Sequence, residues 1–174
     1  MNYVLRGIGV LLATGGVVML AATLPPDSAN GGGGKALPPA EANKAWQTEC
    51  GSCHVAYPPA LLPQASWQKI MADLDRHFGE NASLDPATQA DILRFLEAHA
   101  AGHDNRSGRK VMKRMDGDPA PLRITETAWF RHEHDEVPHA TWARKAIGSA
   151  ANCAACHREA EQGNYDEDAV RIPK

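Results

Sequence analysis

The sequence predicts an all-α protein, and three observations support this fold class. Aromatic residues that favour strands are scarce, with three Phe and three Tyr among 174 residues, whereas alanine-rich stretches that favour helices recur along the chain. Several segments place apolar residues at steps of three and four, which is the spacing of one helix face. Capping residues before these segments, and glycine or proline after them, mark helix boundaries.

The first 24 residues are predicted to direct export. A single arginine precedes an uncharged apolar stretch over residues 7–24, as in a secretory signal. About 18 apolar residues also approach the length that spans a bilayer. Residues 1–24 are therefore interpreted as a signal peptide or a membrane anchor, and the protein is expected in the periplasm, with any membrane contact made through this segment. Residues 25–40 contain four consecutive glycines and are expected to form a flexible linker.

The N-terminal half, residues 41–103, is predicted to contain three helices. The first, over 41–48, consists mainly of strong helix formers and leads into the first cysteine pair. The second is expected to be capped by Ser66 and to carry an apolar face as far as Gly79. The third begins with Asp85 as its cap, has proline in its first turn, and is expected to fade near residue 102.

Residues 104–121 are polar, contain glycine and proline, and are predicted to connect two halves of the molecule. The basic cluster of the sequence lies here and consists of Arg106, Arg109, Lys110, Lys113 and Arg114. It is interpreted either as a solvated loop or as a docking surface for an acidic partner. In the C-terminal half, residues 122–174, Thr127 is expected to cap a short helix that Pro138 stops. A formal net charge of −3 gives no general attraction to nucleic acid.

Two copies of one pentapeptide contain all four cysteines. They are Cys50-Gly51-Ser52-Cys53-His54 and Cys153-Ala154-Ala155-Cys156-His157. Two thiols at this spacing can form thioethers with the two vinyl groups of one porphyrin, and the adjacent histidine then ligates the iron. The sequence therefore predicts two covalently bound haem c groups.

The cysteine pairs fit other chemistry less well. Zinc ribbons separate their cysteine pairs by about 15 to 20 residues, whereas Cys53 and Cys153 lie a hundred positions apart. A thioredoxin-like redox motif requires a βαβ setting, which a helical sequence lacks. A protein that uses these cysteines for zinc or for disulfides is therefore the less favoured interpretation.

Each iron needs a second axial ligand, and histidine gives a lower reduction potential than methionine. The candidates are His77, His99, His103, His132, His134, His139, Met71, Met112 and Met115. For the first haem we favour His77, because it shares the apolar face of the second predicted helix with Trp67 and Leu74. His99, which lies on the apolar face of the third predicted helix, is the alternative.

For the second haem we favour His134 as the axial ligand. It shares a predicted helix face with Phe130 and Val137, whereas His132 falls on another side of that helix. His139 follows a proline and is the main alternative. Met71 is interpreted as part of the core, and the two methionines of the linker would be poorly held as ligands.

The order of several segments resembles the bacterial dihaem cytochrome c family. These segments are ECGSCH at 49–54, LDRHFGENASLD at 74–85, RITETAWF at 123–130, EHDEVP at 133–138 and NCAACH at 152–157. The resemblance covers nearly everything after residue 40. It implies an N-terminal half similar to a class I cytochrome c and an irregular C-terminal half around a second haem. It also implies bis-histidine ligation by His54 with His77, and by His157 with His134.

The same resemblance implies a low-potential electron carrier. Its implied partners are a small oxygen-binding cytochrome of the SHP type and a membrane cytochrome of the b561 type. An iron with two histidine ligands has no open position for a substrate, so an electron-transfer protein is expected rather than an enzyme. The alternative is a dihaem peroxidase-like enzyme with one open haem site, which carbon monoxide binding to the reduced protein would indicate.

Overall fold

The structure is a computed structural model that describes residues 43–103, 106–115, 117 and 119–174. The predicted leader (1–24) and linker (25–40) lie outside these residues and stay predictions. Where the structure describes the chain it is helical, and β pairing is limited to two isolated bridges, Pro63 with Ala101 and His77 with Glu80. The prediction of an all-α fold is confirmed. None of the helices in the described ranges is long and apolar enough to cross a membrane.

The described residues all belong to one compact unit. Their α-helices are α1 (Lys44–Cys50), α2 (Gln64–Ala72), α3 (Pro86–His99), α4 (Arg106–Met112), α5 (Ala128–Glu133) and α6 (His139–Trp142). Short 3-10 helices span Pro59–Leu61, Leu74–Arg76, Ile124–Glu126, Cys153–Ala155, Ala160–Gln162 and Glu167–Ala169. The division into domains at 104–121 stays a prediction.

The main hydrophobic core lies between the first three helices. Trp46 of α1, Met71 of α2 and Ile92 and Leu96 of α3 are almost completely buried there. Burying each such side chain contributes roughly 1.5 to 3 kcal/mol. Because Cys50 is the last residue of α1, this core fixes the place where the first cysteine motif begins.

The third helix begins as predicted. The Asp85 carboxylate accepts hydrogen bonds from the backbone N–H groups of Ala87 and Thr88, each at 3.0 Å. Pro86 occupies the first turn, where its missing N–H costs nothing. The helix ends at His99, close to the predicted end.

The second helix differs from its prediction at both ends. It begins at Gln64 after Pro63, without a side-chain cap, and Ser66 is a fully buried residue inside it. It ends at Ala72 instead of continuing to Gly79, and His77 follows a separate 3-10 turn. The next residue, Phe78, has a φ of 52° in the left-handed region, so the helix does not resume after this turn.

Two tertiary hydrogen bonds explain why α2 stops early. The side-chain amide of Gln89 donates to the carbonyl oxygen of Met71. The N–H of Ala82 donates to the carbonyl oxygen of Leu74 at 2.8 Å. A continued helix would use both carbonyls for its own i to i+4 bonds. Leu74 and His77 therefore do not lie on one continuous helix face. Leu74 belongs to a separate 3-10 turn, and His77 follows that turn.

The predicted linker contains a helix where a connection without helical structure was expected. Helix α4 (Arg106–Met112) packs against the 3-10 turn at Pro59–Leu61. Its anchor is Val111, which is fully buried. Arg114 also forms an ion pair with Glu133 at 3.4 Å. This segment is therefore packed against both halves of the chain, although Arg109, Lys110 and Lys113 are exposed.

The C-terminal half consists of short helices and turns. Thr127 begins α5 as predicted, because its hydroxyl oxygen accepts a hydrogen bond from the N–H of Phe130 at 3.1 Å. The same hydroxyl donates to the carbonyl of Ile124 at 2.7 Å. Helix α5 ends at Glu133 instead of continuing to Pro138, so His134 is its C-terminal cap residue and does not share a helix face with Val137 as predicted.

Candidate functional site

The two cysteine motifs occupy similar local positions. Cys50 ends α1, and the chain then turns through Cys53 to His54. In the second motif Cys153 begins a 3-10 turn that leads through Cys156 to His157. In each copy the first cysteine is half-buried. The motifs thus place two thiols and one histidine together on a short, tight segment of chain.

The structure places the imidazole rings of His54 and His77 next to each other. Their ring centroids are 6.4 Å apart, and the ring planes differ by 22°. A metal between two imidazoles, with metal–nitrogen bonds of about 2 Å, requires ring centroids about 6 Å apart. Burial lowers the pKa of His77, and the nearby His54 lowers it further. Both effects favour the neutral imidazole, which is the form that ligates a metal.

The second motif faces a histidine at nearly the same distance. The rings of His134 and His157 are 6.2 Å apart, with planes that cross at 82°. Burial is the main cause of a lowered pKa for His157, and His134 adds to it. The residues around this pair therefore also favour a neutral ligand.

One imidazole of each pair is oriented by the backbone. The Nδ1–H of His54 donates to the carbonyl oxygen of Val55 at 2.8 Å. The Nδ1–H of His134 donates to the carbonyl oxygen of Phe130 at 2.9 Å, and its ring stacks on that of Phe130 at 4.1 Å. Such bonds fix the tautomer and leave Nε2 free as the metal ligand.

A cavity of about 380 Å³ lies beside His134 of the second histidine pair. It is lined by Thr125, Phe130, Arg131, His134, His139, Trp142 and Ala150. This volume is within the range of small-molecule and cofactor pockets, about 300 to 1,000 Å³. The mixture of aromatic walls with one arginine suits a flat apolar group that carries acidic substituents.

The remaining donor chemistry also fits two haem groups. The hydroxyl of Tyr165 is buried without a hydrogen-bond partner among the described residues. Its O–H group can therefore donate a hydrogen bond to a bound cofactor. No disulfide joins the four cysteines, so all four are available for attachment to a cofactor. In the described part of the chain, no three His, Cys, Asp or Glu side chains gather closely enough to hold a metal ion by themselves.

The first cysteine of each motif does not resemble a redox-active thiol. Burial raises the pKa of Cys50 to about 11 and that of Cys153 to about 11. Thiols that exchange disulfides have a lowered pKa and are partly exposed. Neither Cys50 nor Cys153 therefore has the surroundings of a disulfide-exchanging thiol.

The other candidate ligands have different surroundings. The Nδ1–H of His99 donates to the carbonyl oxygen of Phe95 at 2.9 Å, and its ring packs on Phe95. His132 is exposed and lies 3.9 Å from Asp135. His139 lines the same cavity as His134 but is exposed. Met71 belongs to the core. The assignment of His54, His77, His134 and His157 as iron ligands stays a prediction, and the geometry is consistent with it.

Sequence reasoning did not identify two tyrosines that contact the proximal histidines. The ring of Tyr57 stacks on His54, with centroids 4.5 Å apart and planes 15° apart. The ring of Tyr165 lies 5.2 Å from that of His157. The one available signal was position, because Tyr57 follows His54 by three residues. Nothing local marks Tyr165.

Comparison with known proteins gives consistent matches. A family model for dihaem cytochrome c matches residues 46–165. A solved diheme cytochrome c from Rhodobacter sphaeroides is 43% identical, with 73% of this chain and 99% of that chain covered and a TM-score of 0.65. A diheme cytochrome type c from Shewanella baltica OS155 is 42% identical, with 75% and 93% covered and a TM-score of 0.63. A search of curated proteins found no match.

Proposed function

Because this chain belongs to the dihaem cytochrome c family, we propose that it carries electrons in the periplasm between a membrane donor and a soluble haem protein. The proposed donor is a membrane cytochrome of the b561 type, and the proposed acceptor is a cytochrome of the SHP type. Family membership establishes that the chain binds two c-type haems. The prediction of this cofactor from the two pentapeptides is confirmed.

The proposed assignment gives each haem four protein groups. Cys50 and Cys53 attach the first haem, and Cys153 and Cys156 attach the second. His54 with His77, and His157 with His134, hold the two irons. The bound haem supplies an iron that alternates between the ferric and ferrous states. The protein supplies fixed ligands and apolar walls that keep this change from requiring large rearrangement.

The observation that carries the proposal is the presence of two histidine pairs at ring separations of 6.4 and 6.2 Å. An iron held between two imidazoles has no vacant position, so oxygen, peroxide and carbon monoxide cannot bind without displacing a ligand. This favours a carrier of electrons over an enzyme that turns over a substrate.

The exposed basic residues around α4 support contact with an acidic redox partner. Arg109, Lys110 and Lys113 are exposed on one short stretch, while the whole chain has a formal charge of −3. A local patch of one sign speeds encounter with a partner of the opposite sign and is screened by salt. Neutralising these three residues is expected to slow association with an acidic acceptor and to reduce the dependence on salt.

The test of the function uses the full-length, haem-loaded protein. The reduced protein is mixed with carbon monoxide, with hydrogen peroxide, and with an oxidised SHP-type cytochrome in separate stopped-flow experiments. We expect no carbon monoxide complex, no peroxide turnover and rapid reoxidation by the SHP-type cytochrome, with a mitochondrial cytochrome c as the comparison acceptor. Carbon monoxide binding together with peroxide turnover would instead establish the peroxidase-like alternative.

The cellular location has its own test. The full-length gene is expressed in a host that matures c-type cytochromes, and the cells are separated into periplasmic, membrane and cytoplasmic fractions. We expect the haem-stained band in the periplasm or at the membrane. A band in the membrane fraction that keeps the first 24 residues would identify them as an anchor, whereas a cytoplasmic band would contradict export.

A further inference from the structure

Tyr57 contacts a residue of the first haem motif and a residue that lies two positions before the second motif. Its ring stacks on His54 at 4.5 Å. Its hydroxyl donates a hydrogen bond of 2.7 Å to the carbonyl oxygen of Ala151, which lies 94 residues further along the chain. Ala151 stands two positions before Cys153. One half-buried side chain therefore contacts a proximal histidine at one end and the start of the second motif at the other.

The carbonyl that receives the Tyr57 hydroxyl also shapes the second motif. The Ala151 oxygen accepts a hydrogen bond of 3.0 Å from the backbone N–H of Cys153. The Cys153 thiol lies 3.7 Å from the same oxygen. The turn that presents the first cysteine of the second motif is thus built around an acceptor that Tyr57 holds in place.

A second tyrosine lies beside the other proximal histidine. Tyr165 lies 5.2 Å from His157, measured between ring centroids. It packs against Ala60 and Leu61, which lie three and four residues after Tyr57.

We propose that Tyr57 is a positioning residue that couples the two haem sites: its stacked ring and its bond to Ala151 set the placement of the second motif relative to the first. The inference rests on the proposed function and deepens it, because these contacts connect His54 through Tyr57 to Ala151, two residues before Cys153. In an exchange between the sites, one electron leaves one iron and reaches the other. Neither tyrosine is oxidised and no proton moves.

The test compares Tyr57→Phe with Ser66→Ala in the full-length, haem-loaded protein. Tyr57→Phe keeps the stacked ring and removes only the hydroxyl. Ser66→Ala also removes a buried hydroxyl from the N-terminal half, but one without a hydrogen-bond partner among the described residues. Any effect of losing a buried hydroxyl as such will appear in both variants, whereas the proposed coupling is lost in Tyr57→Phe alone.

Three measurements report on the second haem site, although the substitution at Tyr57 lies beside the first. Hydrogen exchange at the Cys153 amide is expected to be about fivefold faster in Tyr57→Phe, because one hydrogen bond of ordinary net strength is lost. The EPR signal of the iron at His157 is expected to shift or broaden. Electron exchange between the two irons, measured in half-reduced protein, is expected to slow. Ser66→Ala is expected to leave all three unchanged.

The inference is overturned if Tyr57→Phe leaves the second-site EPR signal and the Cys153 exchange rate as in the wild type, or if Ser66→Ala changes them equally. Both of these measurements are made on oxidised protein and require no electron transfer. A failure of the proposed function would show in the carbon monoxide and peroxide experiments, so the two failures can be told apart.

Discussion

Removing His77 should open one of the two irons and leave the other closed. The imidazole of His77 lies opposite that of His54, with centroids 6.4 Å apart, and it follows a 3-10 turn instead of lying within a helix. His77→Ala deletes the ligand while changing little of the core. We therefore expect the reduced variant to bind one carbon monoxide per chain, which is half of its haem, whereas the wild type binds none.

The assay is a titration of the dithionite-reduced protein with carbon monoxide, followed by the difference spectrum. His99→Ala is the matched control, because His99 is also half-buried but donates its Nδ1–H to the carbonyl oxygen of Phe95. We expect the reduced His99→Ala variant to bind no carbon monoxide. His77→Met should keep the iron six-coordinate and raise its reduction potential. If His77→Ala binds no carbon monoxide, or His99→Ala binds as much, the assignment of His77 is refuted.

Three further predictions concern the elements that hold the sites. Thr127→Ala should lower the free energy of unfolding by about 1 kcal/mol, because it removes the side-chain cap of α5. Thr127→Ser keeps the hydroxyl and should keep most of that stability. Equal melting temperatures for the two variants would count against the cap. Leu96→Ala should cost about 2 to 5 kcal/mol in denaturant unfolding, and a loss below 1 kcal/mol would mean that this core is loosely packed. Hydrogen bonds from the side chain and backbone of Thr88 hold the pKa of Asp85 below its ordinary value. Because that pKa is lowered on folding, the stabilisation is complete above about pH 4 and is lost as the pH falls through the folded pKa. The melting temperature of the wild type should therefore approach that of Asp85→Asn in acid, and a constant difference between pH 3 and 7 would contradict this.

Local signals in the sequence were sufficient where one residue decides the structure. Asp85 and Thr127 begin helices because their side chains satisfy N–H groups within three residues, and such bonds can be inferred from sequence. The cysteine motifs are equally local, because attachment to one porphyrin depends on spacing within five residues. The cofactor and the fold class followed from these features.

The end of α2 could not be read from the sequence, because distant residues decide it. The carbonyl oxygens of Met71 and Leu74 are taken by Gln89 and Ala82. The helical spacing of Leu74 and His77 suggested a continuous face, and that part of the argument for His77 was wrong even though the structure places His77 opposite His54.

Two other features depend on contacts between segments that are far apart in the chain. The helix at Arg106–Met112 has one buried anchor, Val111, which is too little for a periodic pattern to reveal. The bond from Tyr57 to Ala151 joins residues 94 positions apart. No spacing rule connects such residues, so this contact became visible only in the structure.

The central claim, that two histidine pairs each close one iron, is tested most directly by a low-temperature EPR spectrum of the oxidised protein. Rings that are nearly parallel, as in the 22° pair of His54 and His77, separate the energies of the iron orbitals that overlap with them and give an ordinary rhombic low-spin signal. Rings that cross, as in the 82° pair of His134 and His157, bring those orbitals close in energy and give a strongly anisotropic low-spin signal. We predict both signals in equal amounts, and a high-spin ferric signal from either iron would contradict the claim.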